Sequence, residues 1–121
     1  MDYQKLADLL YPNTTKTIQD YFDLYPARNL PEGAEVTRFA PSPTGYLHLG
    51  SFFGATIDKL IAESTNGIFY FRLEDTDGKR TIDGADKIAL DVLKLYDIYP
   101  HEGYLLDGQV GNYGPYKQSE R

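Results

Sequence analysis

Arg38, Ser42, Thr44, His48 and Ser51 lie close together in the stretch Arg38-Phe39-Ala40-Pro41-Ser42-Pro43-Thr44-Gly45-Tyr46-Leu47-His48-Leu49-Gly50-Ser51. Their types suit anion chemistry. Hydroxyls at 42, 44 and 51 donate or accept as a ligand requires. A histidine at 48 can donate to a phosphoryl oxygen as charge develops on it. Gly50 lacks a Cβ, so a ligand ring can approach the backbone there. A second polar group, Glu74-Asp75-Thr76-Asp77, follows an apolar run. Paired carboxylates suit magnesium, and Glu74 alone suits a substrate ammonium. Asp75 and Asp77 equally fit a polar turn that caps the next helix, the role we prefer for them.

The elements around these residues place them at strand ends. Glu35-Val36-Thr37-Arg38-Phe39-Ala40 is β-branched and aromatic and reads as a buried strand. Leu49, Phe53, Ile57, Leu60 and Ile61 recur at helical spacing, predicting a helix over 49–64 that Thr65-Asn66-Gly67 ends. Ile68-Phe69-Tyr70-Phe71-Arg72-Leu73 is nearly continuous in apolar character, as for a strand covered on both faces. Strand, helix and strand make a right-handed βαβ unit, and ligands bind beyond the carboxyl ends of such strands. A helix N-terminus there offers free N–H groups to phosphate. Neither G-x-G-x-x-G nor G-x-x-x-x-G-K-[ST] occurs in the chain. On residue types alone the stretch is a phosphate or nucleotide pocket, or else a proline-rich turn whose histidine caps a helix.

Upstream, Tyr3, Leu6, Ala7 and Leu10 suggest a short amphipathic helix, and Thr17 with Asp20 forms a capping box for a second. This arm, residues 1–33, reads as a cap over the sheet, with a docking extension as the alternative. Downstream, Thr81 is expected to cap a helix that buries Ala85, Ile88, Ala89, Val92, Leu93 and Tyr96. From Asp97 the glycines and tyrosines suggest a loop-rich stretch, and His101 receives no chemical role.

The totals limit the possibilities. At 121 residues the chain is one domain at most. It has no cysteine, which excludes disulfides and thiolate zinc sites within it. No run is apolar enough for a membrane span, and Met1-Asp2-Tyr3-Gln4 does not resemble a secretory signal, so a cytoplasmic setting is expected. The net charge of −6 argues against a stand-alone nucleic-acid module. Lys79, Arg80, Lys117 and Arg121 are the candidates for a local basic face.

Arg-Phe-Ala-Pro-Ser-Pro-Thr-Gly-Tyr-Leu-His-Leu-Gly resembles the signature that opens the catalytic domain of glutamyl-tRNA synthetases. These are class I aminoacyl-tRNA synthetases. His48-Leu49-Gly50-Ser51 matches their His-Ile-Gly-His motif except at Ser51, where small residues are usual in the glutamate branch. The glutaminyl branch differs, with Pro-Glu-Pro-Asn-Gly in place of Pro-Ser-Pro-Thr-Gly. Arg72-Leu73-Glu74-Asp75-Thr76-Asp77 and Tyr116-Lys117-Gln118-Ser119-Glu120-Arg121 are similar to two further family segments. The second of these leads into another helix.

The resemblance implies an α/β, Rossmann-like nucleotide-binding fold over 34–121, present as its first βαβ portion, with the helical arm before it. It implies an N-terminal piece of a synthetase that lacks the second signature loop and the anticodon-binding domain. The parent would ligate L-glutamate to tRNA(Glu) through glutamyl-adenylate, using ATP with Mg2+. Thr44 and His48 would be catalytic. Ala40, Pro41, Thr44, His48, Gly50 and Ser51 would bind ATP, and Arg38, Ser42 and Glu74 would bind glutamate. Lys79 and Arg80 could meet a tRNA phosphate or simply form a solvated turn, and no side chain is assigned to a metal. The piece alone is expected to be inactive and to self-associate through its exposed packing face. Three alternatives stand: a shortened relative that glutamylates a modified tRNA base, another nucleotidylyltransferase with a similar motif, and a non-catalytic nucleotide-binding module.

Overall fold

The computed structural model describes residues 2–121. Its sheet is built around β2 (Ile68–Phe71). Side chains alternate across a strand; here Phe69 and Phe71 are fully buried, while Ile68 and Tyr70 turn to the other face and are half-buried. β1 (Val36–Phe39) pairs with β2 in parallel, with Val36 opposite Ile68 and Phe39 opposite Phe71. Helix α3 (Leu49–Ser64) connects them. A second helix, α4 (Ala85–Leu95), leads from β2 to β3 (Glu102–Leu105), which pairs with β2 in parallel. β4 (Gly108–Val110) folds back antiparallel on β3, giving the strand order β1-β2-β3-β4. The parallel pair and the crossover helix are as the sequence predicts.

One face of the sheet carries the core. Phe69, Phe71, Leu73, Leu90, Leu93 and Ile98 pack with Ala55 and Ala62 of α3. Burying a side chain the size of Phe71 is worth about 1.5–3 kcal/mol. The alanines let α3 lie close to the strands. The larger apolar residues whose spacing marks the helix lie on its outer side, with Leu49 85% and Phe53 68% exposed. α3 is thus apolar on two sides and buries the one with the smaller side chains. α4 differs similarly: Leu90 is buried in the stripe, while Ile88 and Tyr96 are exposed. Its N-cap is Gly84, not Thr81, whose hydroxyl donates to the Asp77 carbonyl. β1 is an edge strand with Val36 and Arg38 exposed, so it is not buried as expected, whereas Ile68 and Tyr70 on the second face of β2 are half-buried, Tyr70 against the Tyr116 ring.

Two glycines permit close backbone approaches. A Cβ on Gly67, just after α3, would lie 1.8 Å from the Glu35 carbonyl oxygen. A Cβ on Gly103 would lie 2.1 Å from that of Phe71, and its φ of +126° also disfavours a side chain. Both positions set strands side by side.

The arm contains α1 (Tyr3–Leu10) and α2 (Ile18–Leu24), the latter with the expected Thr17–Asp20 capping box. Neither helix has a buried residue, so neither caps the sheet. The connector after α2 makes the attachment. Tyr25 Oη donates to the Gly114 carbonyl at 3.0 Å and Tyr113 Oη to that of Pro26 at 2.7 Å. Arg28 pairs with buried Glu102 and lies 3.9 Å from the centre of the Tyr113 ring.

The stretch after Asp97 is more ordered than expected. Tyr116 is buried, and its hydroxyl donates to Glu102 and accepts from the Tyr113 amide. Burial and the Glu102 charge push that hydroxyl's pKa above its ordinary value. His101 has a structural role: its Nδ1 accepts the Phe69 N–H at 3.0 Å. Lys117 bridges to Leu73 in parallel, and a 3-10 turn, Gln118–Glu120, follows.

Candidate active site

The loop 40–48 leaves the carboxyl end of β1 and is fastened to the chain beyond β2. The Pro41 carbonyl accepts the Glu74 N–H at 3.1 Å, and the Pro43 carbonyl accepts that of Ile82 at 2.8 Å. Phe39 likewise accepts the Arg72 N–H at 3.0 Å. These bonds bring Arg38, Ser42, Thr44 and His48 to the same end of the sheet as Glu74. Pro43 is buried under the loop, Ala40, Pro41 and Thr44 are half-buried, and Ser42 faces solvent.

His48 is the N-cap of α3. Its Nδ1 accepts the Gly50 N–H at 3.1 Å, and its carbonyl accepts from Ser51 and Phe52. A neutral imidazole carries one proton, so Nδ1 as acceptor leaves the proton on Nε2. The cap role and the chemical role are therefore compatible: the backbone fixes the ring, and the exposed side can donate. A Cβ on Gly50 would come within 3.0 Å of His48 Cε1, so the glycine also makes room for this ring position.

Arg38 and Glu74 face each other on the open side of the sheet, with Nη1 4.0 Å from Oε1. The Arg38 side chain is 47% exposed and loosely held. Arg72, two residues before Glu74 on the same face, comes nearer, with Nε 3.2 Å from the same oxygen. Arg72 was absent from the residues singled out in the sequence. Beside it is a cavity of about 270 Å3 lined by Arg28, Tyr70, Arg72, Tyr113, Tyr116 and Arg121, among others.

Residues 35–121 match the family model for the catalytic domain of class I tRNA synthetases of the E and Q type. The chain belongs to this family. It is 50% identical to the glutamate–tRNA ligase of Acetivibrio thermocellus over 122 residues, which cover all of this chain and 22% of that protein. The corresponding figures for the Clostridium perfringens ligase are 44%, all of this chain and 22%. The crystal structure of a glutamate-tRNA synthetase from Elizabethkingia anophelis superposes with a TM-score of 0.67 at 41% identity, over 73% of this chain and 17% of that one. A glutamate tRNA ligase from Elizabethkingia meningosepticum, crystallised with its amino acid, gives 0.65 at 42% identity, over 71% and 16%. The chain thus spans about a fifth of the length of these relatives. The resemblance seen in the signature and the partial Rossmann-like fold both hold, and a nucleotidylyltransferase of another family is excluded.

In this class I synthetase domain the remaining polar candidates are committed to structure. Asp75 accepts from the Ser119 amide at 2.8 Å and hydroxyl at 2.7 Å, and lies 3.6 Å from Lys117. Burial works to raise the Asp75 pKa, but the Ser119 bonds and the Lys117 charge outweigh it, and the net direction is downward. Asp77 accepts from Arg80 Nε at 2.6 Å, and this bond holds its pKa below the ordinary value. The three carboxylates are thus paired with neighbours and do not converge on one point. Of the candidate basic residues, Arg80 is paired with Asp77 and Lys117 with Asp75, while Arg121 donates to the Pro115 and Tyr113 carbonyls and keeps its charge. Lys79 is exposed and has no ion pair among the described residues.

Proposed function

We propose that this chain is the opening part of the catalytic domain of a glutamate–tRNA ligase that activates L-glutamate with ATP. The observation that carries the reading is the facing pair Arg38 and Glu74 at the strand ends, beside the helix start that His48 caps. An α-amino acid with an acidic side chain needs one cation and one anion at a fixed separation. Arg38 would take the side-chain carboxylate in two bonds. Glu74 would take the ammonium, and Ser42 would add a hydrogen bond.

In the first step the glutamate α-carboxylate attacks the α-phosphorus of ATP and pyrophosphate leaves, giving glutamyl-adenylate. In the second, the terminal ribose hydroxyl of tRNA(Glu) attacks the acyl carbon and AMP leaves. Such a phosphoryl displacement needs positioning and charge stabilisation more than covalent help. Thr44 and His48 Nε2 would donate to the phosphate oxygens. Ala40, Pro41, Gly50 and Ser51 would border the adenosine. Magnesium accompanying the ATP would supply charge neutralisation, while Asp75 and Asp77 are held by Ser119 and Arg80. Lys79 is left for a tRNA phosphate. These substrates fit a cytoplasmic setting, and no helix among the described residues is long and apolar enough to cross a membrane.

The test is charging of tRNA(Glu) with labelled glutamate by the full-length protein, followed by nuclease digestion. Label on the terminal adenosine is expected. Label on an internal modified base would establish the shortened relative, and no label with intact ATP binding would establish a binding module.

A further inference from the structure

We propose that Arg72 is a positioning residue for amino-acid binding: by holding Glu74 it keeps Arg38 free to receive the ligand carboxylate. This inference rests on the proposed function and deepens it. Both guanidiniums approach the same oxygen, Glu74 Oε1, Arg72 at 3.2 Å and Arg38 at 4.0 Å. Their surroundings differ. The Arg72 side chain is 18% exposed, against 47% for Arg38. Arg72 is therefore the fixed partner and Arg38 the mobile one.

The approach of Arg72 is incomplete. Its Nε–H is buried and has no aligned acceptor, although Glu74 Oε1 lies within reach. A buried donor without an acceptor costs more than an ordinary hydrogen bond contributes. A small rotation of Glu74 towards Arg72 would complete the bond, so the buried donor draws Glu74 away from Arg38. Removing Arg72 would leave Arg38 as the nearest cation, and closing a 4.0 Å gap takes only side-chain rotation. Arg38 and Glu74 would then satisfy each other, and the cation and the anion that the amino acid needs would be lost together. Sheet geometry supports this competition. Arg38 is opposite Tyr70 in register, and Arg72 and Glu74 continue along the same face by steps of two.

The test uses the full-length ligase with Arg72→Gln, Arg72→Lys and Arg38→Ala, and measures KM for glutamate, KM for ATP, kcat and Tm. Arg72→Gln should raise the glutamate KM roughly fivefold, because the ligand must then displace an Arg38–Glu74 pair of the exposed kind. The KM for ATP and kcat should stay within about threefold, because the nucleotide loop is untouched. Arg72→Lys keeps the charge and should recover most of the loss. In the Arg38→Ala background, Arg72→Gln should add less than about threefold, since its effect acts through Arg38. A lower Tm with unchanged glutamate KM would show a packing role alone and overturn the inference, as would full additivity. If Arg72→Gln does not fold, Arg72→Met takes its place, with a raised glutamate KM expected and an unchanged one overturning. A silent Arg38→Ala would overturn the clamp in the proposed function as well. A strong Arg38→Ala effect with silent Arg72 variants would overturn this inference alone.

Discussion

Replacing Arg38 by alanine in the full-length ligase should lower kcat/KM for glutamate roughly 30- to 5000-fold, the range for losing one partner of a desolvated charge pair. A glutamate side chain that leaves water unpaired is costly to bury. Arg38 cannot lose its charge near neutral pH, so it can always offset that cost. The KM for ATP should change little, because His48, Gly50 and the helix start are untouched. The competing view is that Arg38 forms a structural ion pair, and the contacts argue against it. Its distance to Glu74 is 4.0 Å and nearly half its side chain is exposed. Pairs of that kind contribute about 0–1 kcal/mol. Arg28 and Glu102, by contrast, form a mostly buried structural pair. Arg38→Ala should therefore leave Tm almost unchanged, whereas a lower Tm with efficiency preserved in the folded fraction would favour the structural view.

Residues 1–121 alone are expected to form no measurable glutamyl-adenylate while retaining weak ATP affinity. They contain Arg38, Ser42, Thr44, His48 and Glu74, but these groups occupy one side of a site. The sheet face is covered beside Tyr70 and Arg72 by the segment around Tyr113 and Tyr116, but it is open at Arg38 and Val36. The outer side of α3 is equally uncovered: Leu49, Phe52, Phe53, Leu60 and Tyr96 border an apolar groove of about 1170 Å3. Surface of this kind promotes association, so the isolated piece should sediment as dimers or larger species. Pyrophosphate exchange by the isolated piece at a rate close to that of the full-length protein would show that the remainder is dispensable. A strict monomer would count against the association.

The parallel pair β1 and β2 was legible because two β-branched and aromatic runs, a helical run and a terminating Asn66-Gly67 agree on one crossover. The side of α3 that faces the sheet was not. Leu49, Phe53 and Leu60 are larger and more apolar than Ala55 and Ala62, but the close packing of helix on sheet selects the small residues. Periodicity alone cannot distinguish two apolar sides of one helix. The hairpin of β3 and β4 was read as loop because Gly103 and the nearby tyrosines hide a short strand. Asp107-Gly108, where the turn ends and β4 begins, was the available signal. At the candidate site, Arg38, His48 and Glu74 stand out by type and by signature. Arg72 was absorbed into an apolar run, although its two-residue spacing from Glu74 places both on one strand face. The restraints on Asp75 and Arg80 come from Ser119 and Asp77, and the long-range contact to Ser119 leaves no local pattern.

The central claim is that Arg38 and Glu74 select glutamate at a nucleotide site organised by His48. Amino-acid-dependent exchange of labelled pyrophosphate into ATP by the full-length protein, with tRNA(Glu) present, tests it most directly when glutamate and glutamine are compared. The two ligands have the same length and differ in side-chain charge, which is what Arg38 would read. The account predicts exchange with glutamate and almost none with glutamine. Equal exchange with both, or exchange that survives Arg38→Ala undiminished, would contradict it.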